Sequence, residues 1–431
     1  MCVCPGSVPA PIGGPCPADR ALCAGPPDRP AGCGPHRATF EKARKTAEKI
    51  HDDLLYLSVI EFEKTIESRH ITRSGVDKTQ VLTGDADRVS KRIRRSIKFS
   101  NLRILIHGFY IKHGHIKNEE ERIKIEEYFN KNKPNGDLSA LSVAEQIYIY
   151  QAYVWYYYIL LDFENCFIYA KRWVDLFDKD PLLLSNDPDL YLRGFHYLLT
   201  SAYNLQDVDN YESYLRIIDD YRSENYKRFN FNSKIISFLY VHMGRLNYHF
   251  LKGTFEEGLI DIPRSIKRLK KYSARMDAHR IMVFYYKFSW MYLAAGKPDE
   301  AVEYLNRIIQ MEIQNLREDM QGYARLMFLM AHYDLENYDI MPYLISQADS
   351  FFSRMQSKNK VQIAILKYLQ AVSQAPLSTR IEIFKTLRGE LKILSEDRYE
   401  KRAFIYLDIM AWLDAKIENK SISQVVKERM S

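Results

Sequence analysis

Three histidines, His107, His113 and His115, lie within nine residues of one another in the sequence. Two carboxylates, Glu119 and Glu120, follow a few residues later. Imidazole and carboxylate groups at such short spacing are possible ligands for a divalent metal. The glycine and asparagine between them are typical of a connection between two helices, where histidine is an ordinary polar residue. We therefore predict a structural role for these side chains, with no metal and no cofactor.

The cysteines are concentrated at the start of the chain, where metal or disulfide chemistry would also be possible. Five of the six lie in the first 33 residues: Cys2, Cys4, Cys16, Cys23 and Cys33. Their spacing matches no zinc-binding pattern. Residues 1–37 also hold nine of the 16 prolines and lack lysine, phenylalanine, tyrosine and tryptophan. This composition cannot bury a core, so we predict a disordered tail that is foreign to the fold.

Two segments are rich in lysine and arginine, which suggests contact with phosphate groups. Their basic residues are Arg88, Lys91, Arg92, Arg94, Arg95, Lys98 and Arg103, and then Arg264, Lys267, Arg268, Lys270, Lys271 and Arg275. Isoleucine or leucine recurs every three or four residues in both, which predicts helices with one solvated basic face. The net charge of +7 is small for 431 residues. We keep nucleic-acid binding only as an alternative.

Signatures of catalysis are missing from the sequence. We find no nucleophile elbow, phosphate-binding glycine loop, zinc-protease helix or kinase pattern. Paired carboxylates such as Asp219 and Asp220 lie in helical segments, where a solvated face explains them. We predict that the chain is not an enzyme.

No apolar run near the start resembles a secretory signal, and no segment reaches the roughly 18 uncharged apolar residues of a membrane span. The nearest approach, residues 147–161, is short and rich in tyrosine, and we interpret it as a buried helix. The sequence after the tail holds a single cysteine, Cys166, so no disulfide framework supports the fold. We expect no membrane insertion and a cytoplasmic location.

From residue 38 onward, apolar residues recur with the helical period of about 3.6. Short turn signals interrupt this pattern, and they are marked by Leu161, Leu205, Gly253, Gly296 and Glu336. The markers are 40–48 residues apart. Two helices repeating at such a period are typical of an all-α solenoid, in which neighbouring helix pairs bury the apolar faces that each leaves exposed.

The clearest unit, residues 284–310, resembles the tetratricopeptide repeat (TPR). Its helix-packing positions are Tyr285, Phe288, Ser289 and Tyr292 on the first helix, Gly296 at the turn and Ala301 on the second helix. A second unit supplies Tyr150, Tyr153 and Tyr157, with Cys166 as the small residue, and a third supplies Gly253 and Gly258. Ile308 stands where the family prefers alanine, so the match is divergent.

The wider chain, roughly Ala38–Ile417, is similar to uncharacterised bacterial TPR-like proteins. The resemblance implies a right-handed α-α superhelix. We expect a tail at 1–37, TPR-like repeats at 38–358 and capping helices of the same solenoid at 359–431. The resemblance to these proteins implies a fold but no known activity.

In TPR arrays, fixed positions of the first helices line a peptide-binding groove. The resemblance places Tyr148, Gln151, Trp155, Tyr158, Met243, Asn247, Phe250, Tyr286 and Trp290 there, together with Ile159, Tyr240, Leu251, Val283, Leu293 and Ala294. The TPR subtype that clamps a terminal carboxylate needs lysines that are missing at these positions. We expect a non-catalytic scaffold for an unknown protein or peptide of apolar character. Alternatively, Trp155 and Trp290 only fill the core.

Overall fold

The computed structural model describes residues 34–69, 76–311, 318–355 and 358–430. Within these ranges the regular structure is helical and no strand is present, which confirms the all-α prediction. The described residues divide into two compact units, one up to Ser90 and one from Lys91 onward.

The first unit contains helix α1 (Gly34–Lys49), helix α2 (Asp53–Arg69) and the beginning of helix α3 (Val76–His113). Glu63 of α2 is buried and lies 3.6 Å from the Arg44 guanidinium and 3.7 Å from the Lys78 ammonium. The predicted tail, residues 1–37, lies outside the described residues except for 34–37, which belong to the first turn of α1.

The second unit continues α3 and adds a series of helices. They are α4 (Glu119–Asn132), α5 (Val143–Ile159), α6 (Phe163–Lys179), α7 (Pro181–Asn186), α8 (Pro188–Asn204), α9 (Val208–Asn225), α10 (Phe231–Lys252), α11 (Phe255–Gly258), α12 (Asp261–Tyr272), α13 (Ala278–Ala294), α14 (Pro298–Ile309), α15 (Glu318–Asp334), α16 (Met341–Arg354), α17 (Lys360–Gln374), α18 (Leu377–Glu396), α19 (Ala403–Tyr406), α20 (Ile409–Glu418) and α21 (Ile422–Glu428). Consecutive helices pack in pairs, such as α5 with α6 and α13 with α14, and α6 and α14 also pack on the next pair.

One turn geometry recurs along the second unit, at the connections after α5, α8, α10, α13 and α15. A residue with a left-handed backbone ends the first helix, and these residues are Leu161, Gln206, Gly253, Gly296 and Glu336, with φ from 57° to 72°. The next N–H then donates to the carbonyl five residues earlier, as from Asp162 to Tyr157 at 3.0 Å and from Lys297 to Tyr292 at 2.9 Å. The turns are 40–47 residues apart. The left-handed residue of the second turn, Gln206, lies one residue after the predicted marker, Leu205.

All but one of the residues that the sequence assigns to helix packing are buried or half-buried. Cys166 is fully buried, and its Sγ lies 3.6 Å from the Val154 carbonyl oxygen. Ala301 and Ser289 are also fully buried. The rest of the set is buried at Tyr150, Tyr153, Gly253, Gly258 and Phe288, half-buried at Tyr157, Tyr285 and Tyr292, and exposed at Gly296.

The last part of the chain packs against helices far earlier in the sequence. We call residues 397–430 the return segment. Tyr286 of α13 donates its hydroxyl to the Tyr406 carbonyl at 2.8 Å, and Tyr399 bonds to Glu119 at the start of α4. Ser423 of α21 donates to the Gly253 carbonyl after α10. The predicted capping helices therefore contact repeats more than 100 residues away, and not only their neighbour in the sequence.

Candidate functional site

A row of aromatic rings crosses four helices of the second unit, α3, α5, α8 and α10. His107 of α3 stacks on Trp155 of α5 at 4.1 Å between ring centres, and Trp155 meets Tyr197 of α8 at 5.2 Å. One position earlier on α8, His196 stacks on Tyr240 of α10 at 4.5 Å. His107, Trp155, His196 and Tyr240 are half-buried. We call these five residues the aromatic row, and they form one continuous, partly accessible band over four helices.

Three positively charged side chains lie near the aromatic row, and these are Arg103, Arg193 and Lys287. We call them the cation group. All three are half-buried. The Arg103 guanidinium lies 5.7 Å from the ring centre of Tyr148, and the Lys287 ammonium lies 5.3 Å from that of Phe250. No carboxylate of the described chain lies within 4 Å of these three cations. Positive charge therefore accumulates beside the aromatic row.

Burial and the neighbouring positive charges lower the pKa values of the two histidines in the aromatic row. Burial, together with nearby Arg193 and Arg103, lowers the pKa of His107 to about 4. Burial, together with Lys287, Arg193 and Arg280, lowers the pKa of His196 to about 4. Both imidazoles are thus neutral at pH 7 and act as stacking rings.

The same surroundings lower the pKa values of two members of the cation group, Lys287 and Arg103. Burial lowers the pKa of Lys287 to about 8, and burial lowers the pKa of Arg103 with a further contribution from Arg193. The Lys287 ammonium also donates to the Asn247 side-chain oxygen. Because pH 7 lies below about 8, Lys287 remains charged at the cost of partial desolvation. Arg103 also remains charged, because guanidinium groups are not deprotonated in proteins.

The predicted groove residues are all at least half-buried. Gln151, Phe250, Tyr286 and Trp290 are buried, as are Ile159, Leu251, Leu293 and Ala294, whereas Tyr148, Trp155, Tyr158, Met243, Asn247, Tyr240 and Val283 are half-buried. Trp155 and Tyr240 belong to the aromatic row. The structure thus brings part of the predicted set together with cations that the sequence reasoning missed.

The sequence offered different indications of four residues of the site that were not predicted to line a groove. Arg103 belongs to a basic run that we interpreted as a solvated face. Arg193 and His196 lie on α8, whose repeat was too degenerate to align. Lys287 is adjacent to the groove candidate Tyr286, so a shift of one position in the helix would have found it.

The histidine cluster of the sequence is divided in the structure. His107 stacks in the aromatic row, whereas His115 is buried with its Nδ1 2.9 Å from the Tyr158 carbonyl oxygen. His113 packs against Phe109, with 4.8 Å between ring centres. Among the residues that the structure describes, no group of three or more histidine, cysteine or acidic side chains is arranged to hold a metal. The five N-terminal cysteines lie outside those residues.

A separate small cavity of about 130 Å³ lies near His115. It is lined by the turn after α3, by α15 and α17, and by Arg402 and Tyr406 of the return segment. The Tyr406 hydroxyl donates to Asp319 at 2.5 Å, and the Tyr406 ring stacks on Tyr323 at 4.9 Å. These contacts give the cavity a structural role, since they anchor the return segment.

Both basic runs are helical, as predicted, but the buried face of the first run includes Phe99 and Leu102, and Ile97 is 55% exposed. In the first run, Arg95 pairs with the buried Glu145 at 2.6 Å, so part of its charge is compensated. In the second run, Ile262 and Leu269 of α12 are buried. Its exposed cations are Arg264, Lys267, Lys270, Lys271 and Arg275. The second run therefore has the solvated basic face that the sequence predicts.

No helix in the described ranges has the length and apolar character needed to cross a membrane. No protein-family model and no curated protein sequence matches this chain.

Because the pKa values of His107 and His196 are lowered to about 4, we predict that acid destabilises the fold. An unfolded histidine binds a proton below pH of about 6.5, whereas folded His196 does so only near pH 4. The unfolded state therefore binds more protons in this window, and stability falls as pH decreases from about 6.5 toward 4. We expect the decrease in Tm between pH 7 and pH 5 to be smaller for His196→Phe, which keeps a stacking ring. Equal decreases in both proteins, measured by circular dichroism, would contradict this assignment.

Proposed function

We propose that the chain is a non-catalytic, TPR-like scaffold that holds a peptide segment of another protein against the aromatic row and the cation group. The observation that carries the proposal is the continuous row of rings over α3, α5, α8 and α10, in which four rings are half-buried and Tyr197 is buried. Aromatic side chains are enriched at the centres of protein interfaces, because they give a large contact area for little loss of conformational entropy.

The cations specify the peptide further. Because Arg103, Arg193 and Lys287 have no ion pair within the described residues, a bound acidic group would compensate charges that the fold leaves partly desolvated. An acidic segment with neighbouring apolar side chains matches both features better than the purely apolar peptide predicted from the sequence. Complementary charge would also accelerate association.

The groups in the site favour binding over reaction. His107 and His196 are neutral and stacked on other rings, and the remaining members are aromatic side chains and cations. None of these named residues is a serine, cysteine or threonine next to a general base, which nucleophilic catalysis would require. We place this binding in the cytoplasm, because the one cysteine in the part described by the structure, Cys166, is free and buried.

The central test is the loss of peptide binding on removal of Trp155. Peptides selected on the full chain from a displayed random library should bind Trp155→Ala at least about tenfold more weakly, the size of a moderate interface hot spot. Affinity would be measured by fluorescence polarisation at a temperature where circular dichroism shows the variant to be folded.

A matched control is Tyr343→Ala, which removes an aromatic ring that is 65% exposed on α16. It should leave the affinity unchanged. If Trp155→Ala binds the selected peptides as tightly as the wild type, the aromatic row is not the binding surface and Trp155 only fills the core.

A further inference from the structure

Two guanidinium groups from distant parts of the sequence lie near His107, at one end of the aromatic row. Arg103 lies on α3 and Arg193 lies on α8. Both interact electrostatically with His107 and with each other, and the Arg103 guanidinium lies 5.7 Å from the ring centre of Tyr148. The fold therefore keeps two like charges close enough to repel each other beside the aromatic row.

The charge of this arginine pair is poorly compensated within the molecule. The Nε atoms of Arg103 and Arg193 are both buried, and neither has a hydrogen-bond acceptor among the described residues. Asp187 interacts electrostatically with Arg193, but one of its oxygens accepts the Leu190 N–H at 3.1 Å to cap α8. Among the described residues, no carboxylate lies within ion-pair distance of either guanidinium, so a net positive charge remains near His107. Such a charge is costly unless a ligand neutralises it.

The number and type of donors indicate what that ligand carries. A phosphoryl monoester has a charge of about −1.5 to −2 at pH 7 and three strong acceptor oxygens. Guanidinium groups bind such oxygens in pairs, through a planar fork of N–H donors. A single carboxylate would neutralise only one of the two arginines, whereas one phosphoryl group would satisfy both.

A nucleic-acid backbone fits this location less well. Its affinity depends on several exposed cations that follow a row of phosphates. Arg103 and Arg193 are instead half-buried and bordered by aromatic rings. The exposed basic face of α12 is the surface that a nucleic acid would use, and α12 supplies none of the residues of the aromatic row.

We infer that Arg103 and Arg193 form a binding site for a phosphoryl group, and that the bound peptide is recognised in its phosphorylated form. The inference rests on the proposed function and specifies its ligand. Lys287, beside His196 and Asn247, then meets an acidic residue farther along the same segment.

The first test uses the unmodified full chain. Phenylglyoxal reacts with accessible guanidinium groups, and the modified positions are identified by peptide mass spectrometry. Inorganic phosphate is expected to slow modification of Arg103 and Arg193 by about tenfold, because bidentate binding occupies the reactive nitrogens. Arg216, which is exposed on α9 and pairs with Glu212 at 3.5 Å, should react at the same rate with and without phosphate. Unchanged rates at Arg103 and Arg193 would overturn the site.

The second test identifies the source of the phosphoryl group. A degenerate peptide library with a central phosphoserine should bind the full chain at least about tenfold more tightly than the matched serine library. Arg193→Gln should abolish that preference, and Arg216→Gln should retain it. The variant Arg193→Lys keeps the charge without the fork, so an intermediate preference would support guanidinium-specific recognition even if Arg193→Gln folds poorly.

The outcomes separate this inference from the proposed function. Equal binding of the serine and phosphoserine libraries, with sensitivity to Trp155→Ala, overturns the phosphoryl site but retains the scaffold. Protection by inorganic phosphate without binding of either library indicates a site for a free phosphate or a small phosphate ester, and overturns phosphopeptide recognition. A single-stranded oligonucleotide that binds more tightly than the phosphoserine library would also overturn the inference, in favour of a nucleic-acid ligand.

Discussion

Trp412→Ala is expected to lower the free energy of unfolding by about 4 kcal/mol, the usual cost of removing a fully buried tryptophan. Trp412 of α20 is completely buried, and its Nε1–H lies 3.1 Å from both carboxylate oxygens of Asp334 on α15. Its ring packs edge-on against Phe384 at 5.4 Å and Tyr333 at 5.7 Å. The substitution would leave a cavity and remove a donor from a buried carboxylate.

The hydrogen bond from Trp412 to the Asp334 carboxylate accounts for part of the expected loss of stability. Burial raises the pKa of Asp334, and the Lys416 ammonium at 2.7 Å opposes that shift. Trp412→Phe would keep most of the packing and lose only the hydrogen bond, so we expect a loss of about 2 kcal/mol. Urea unfolding monitored by circular dichroism would measure both values. Ile393→Ala, at a position that is 73% exposed on α18, should cost less than about 0.5 kcal/mol.

If Trp412→Ala and Ile393→Ala unfold at the same urea concentration, the return segment does not contribute to the stability of the core. A loss for Trp412→Phe as large as that for Trp412→Ala would instead assign the whole effect to the hydrogen bond with Asp334.

Gly253→Ala is expected to cost about 3 kcal/mol, and Gly296→Ala only about 1 kcal/mol. Both glycines end a helix with a left-handed backbone, with φ of 64° and 72°. A Cβ at Gly253 would lie 3.0 Å from the Ser423 carbonyl oxygen and 3.1 Å from the Val426 Cβ, whereas a Cβ at Gly296 meets no atom within 4 Å. The difference between the two variants isolates the packing of α21 on this turn.

The comparison needs only the free energy of unfolding of each variant, measured under the same conditions. Because the two turns share one backbone conformation, the cost of strain cancels in the difference. Equal losses would show that α21 moves away from Gly253 with little cost, and would contradict the close packing.

Much of this fold is predictable from local sequence. Gly253 and Gly296 mark two turns directly, because glycine is the usual residue in the left-handed conformation that ends a helix. Leu161 and Glu336 adopt the same conformation without being glycine. They were located by the short turn signals that interrupt the apolar pattern, and the corresponding signal placed the Gln206 turn one residue early, at Leu205.

The candidate site was predictable only in part. Trp155 was assigned to a ligand-binding face by its position in the repeat, and the structure places it in the aromatic row. Arg103 and Arg193 are 90 residues apart in the sequence, and nothing local to either indicates that they meet. Their proximity follows from the packing of α3, α5 and α8, which a pattern within one helix does not specify.

The contacts of the return segment also have a consequence for biosynthesis. Tyr399 bonds to Glu119 across 280 positions, and Ser423 to Gly253 across 170. In a simple repeat array each unit depends only on its neighbours and forms as soon as it has left the ribosome. Here the start of α4 and the α10 turn acquire these partners only after another 280 and 170 residues have been translated. A nascent chain therefore exposes these surfaces until the return segment has left the ribosome, and we expect the final, cooperative step of folding to follow that point.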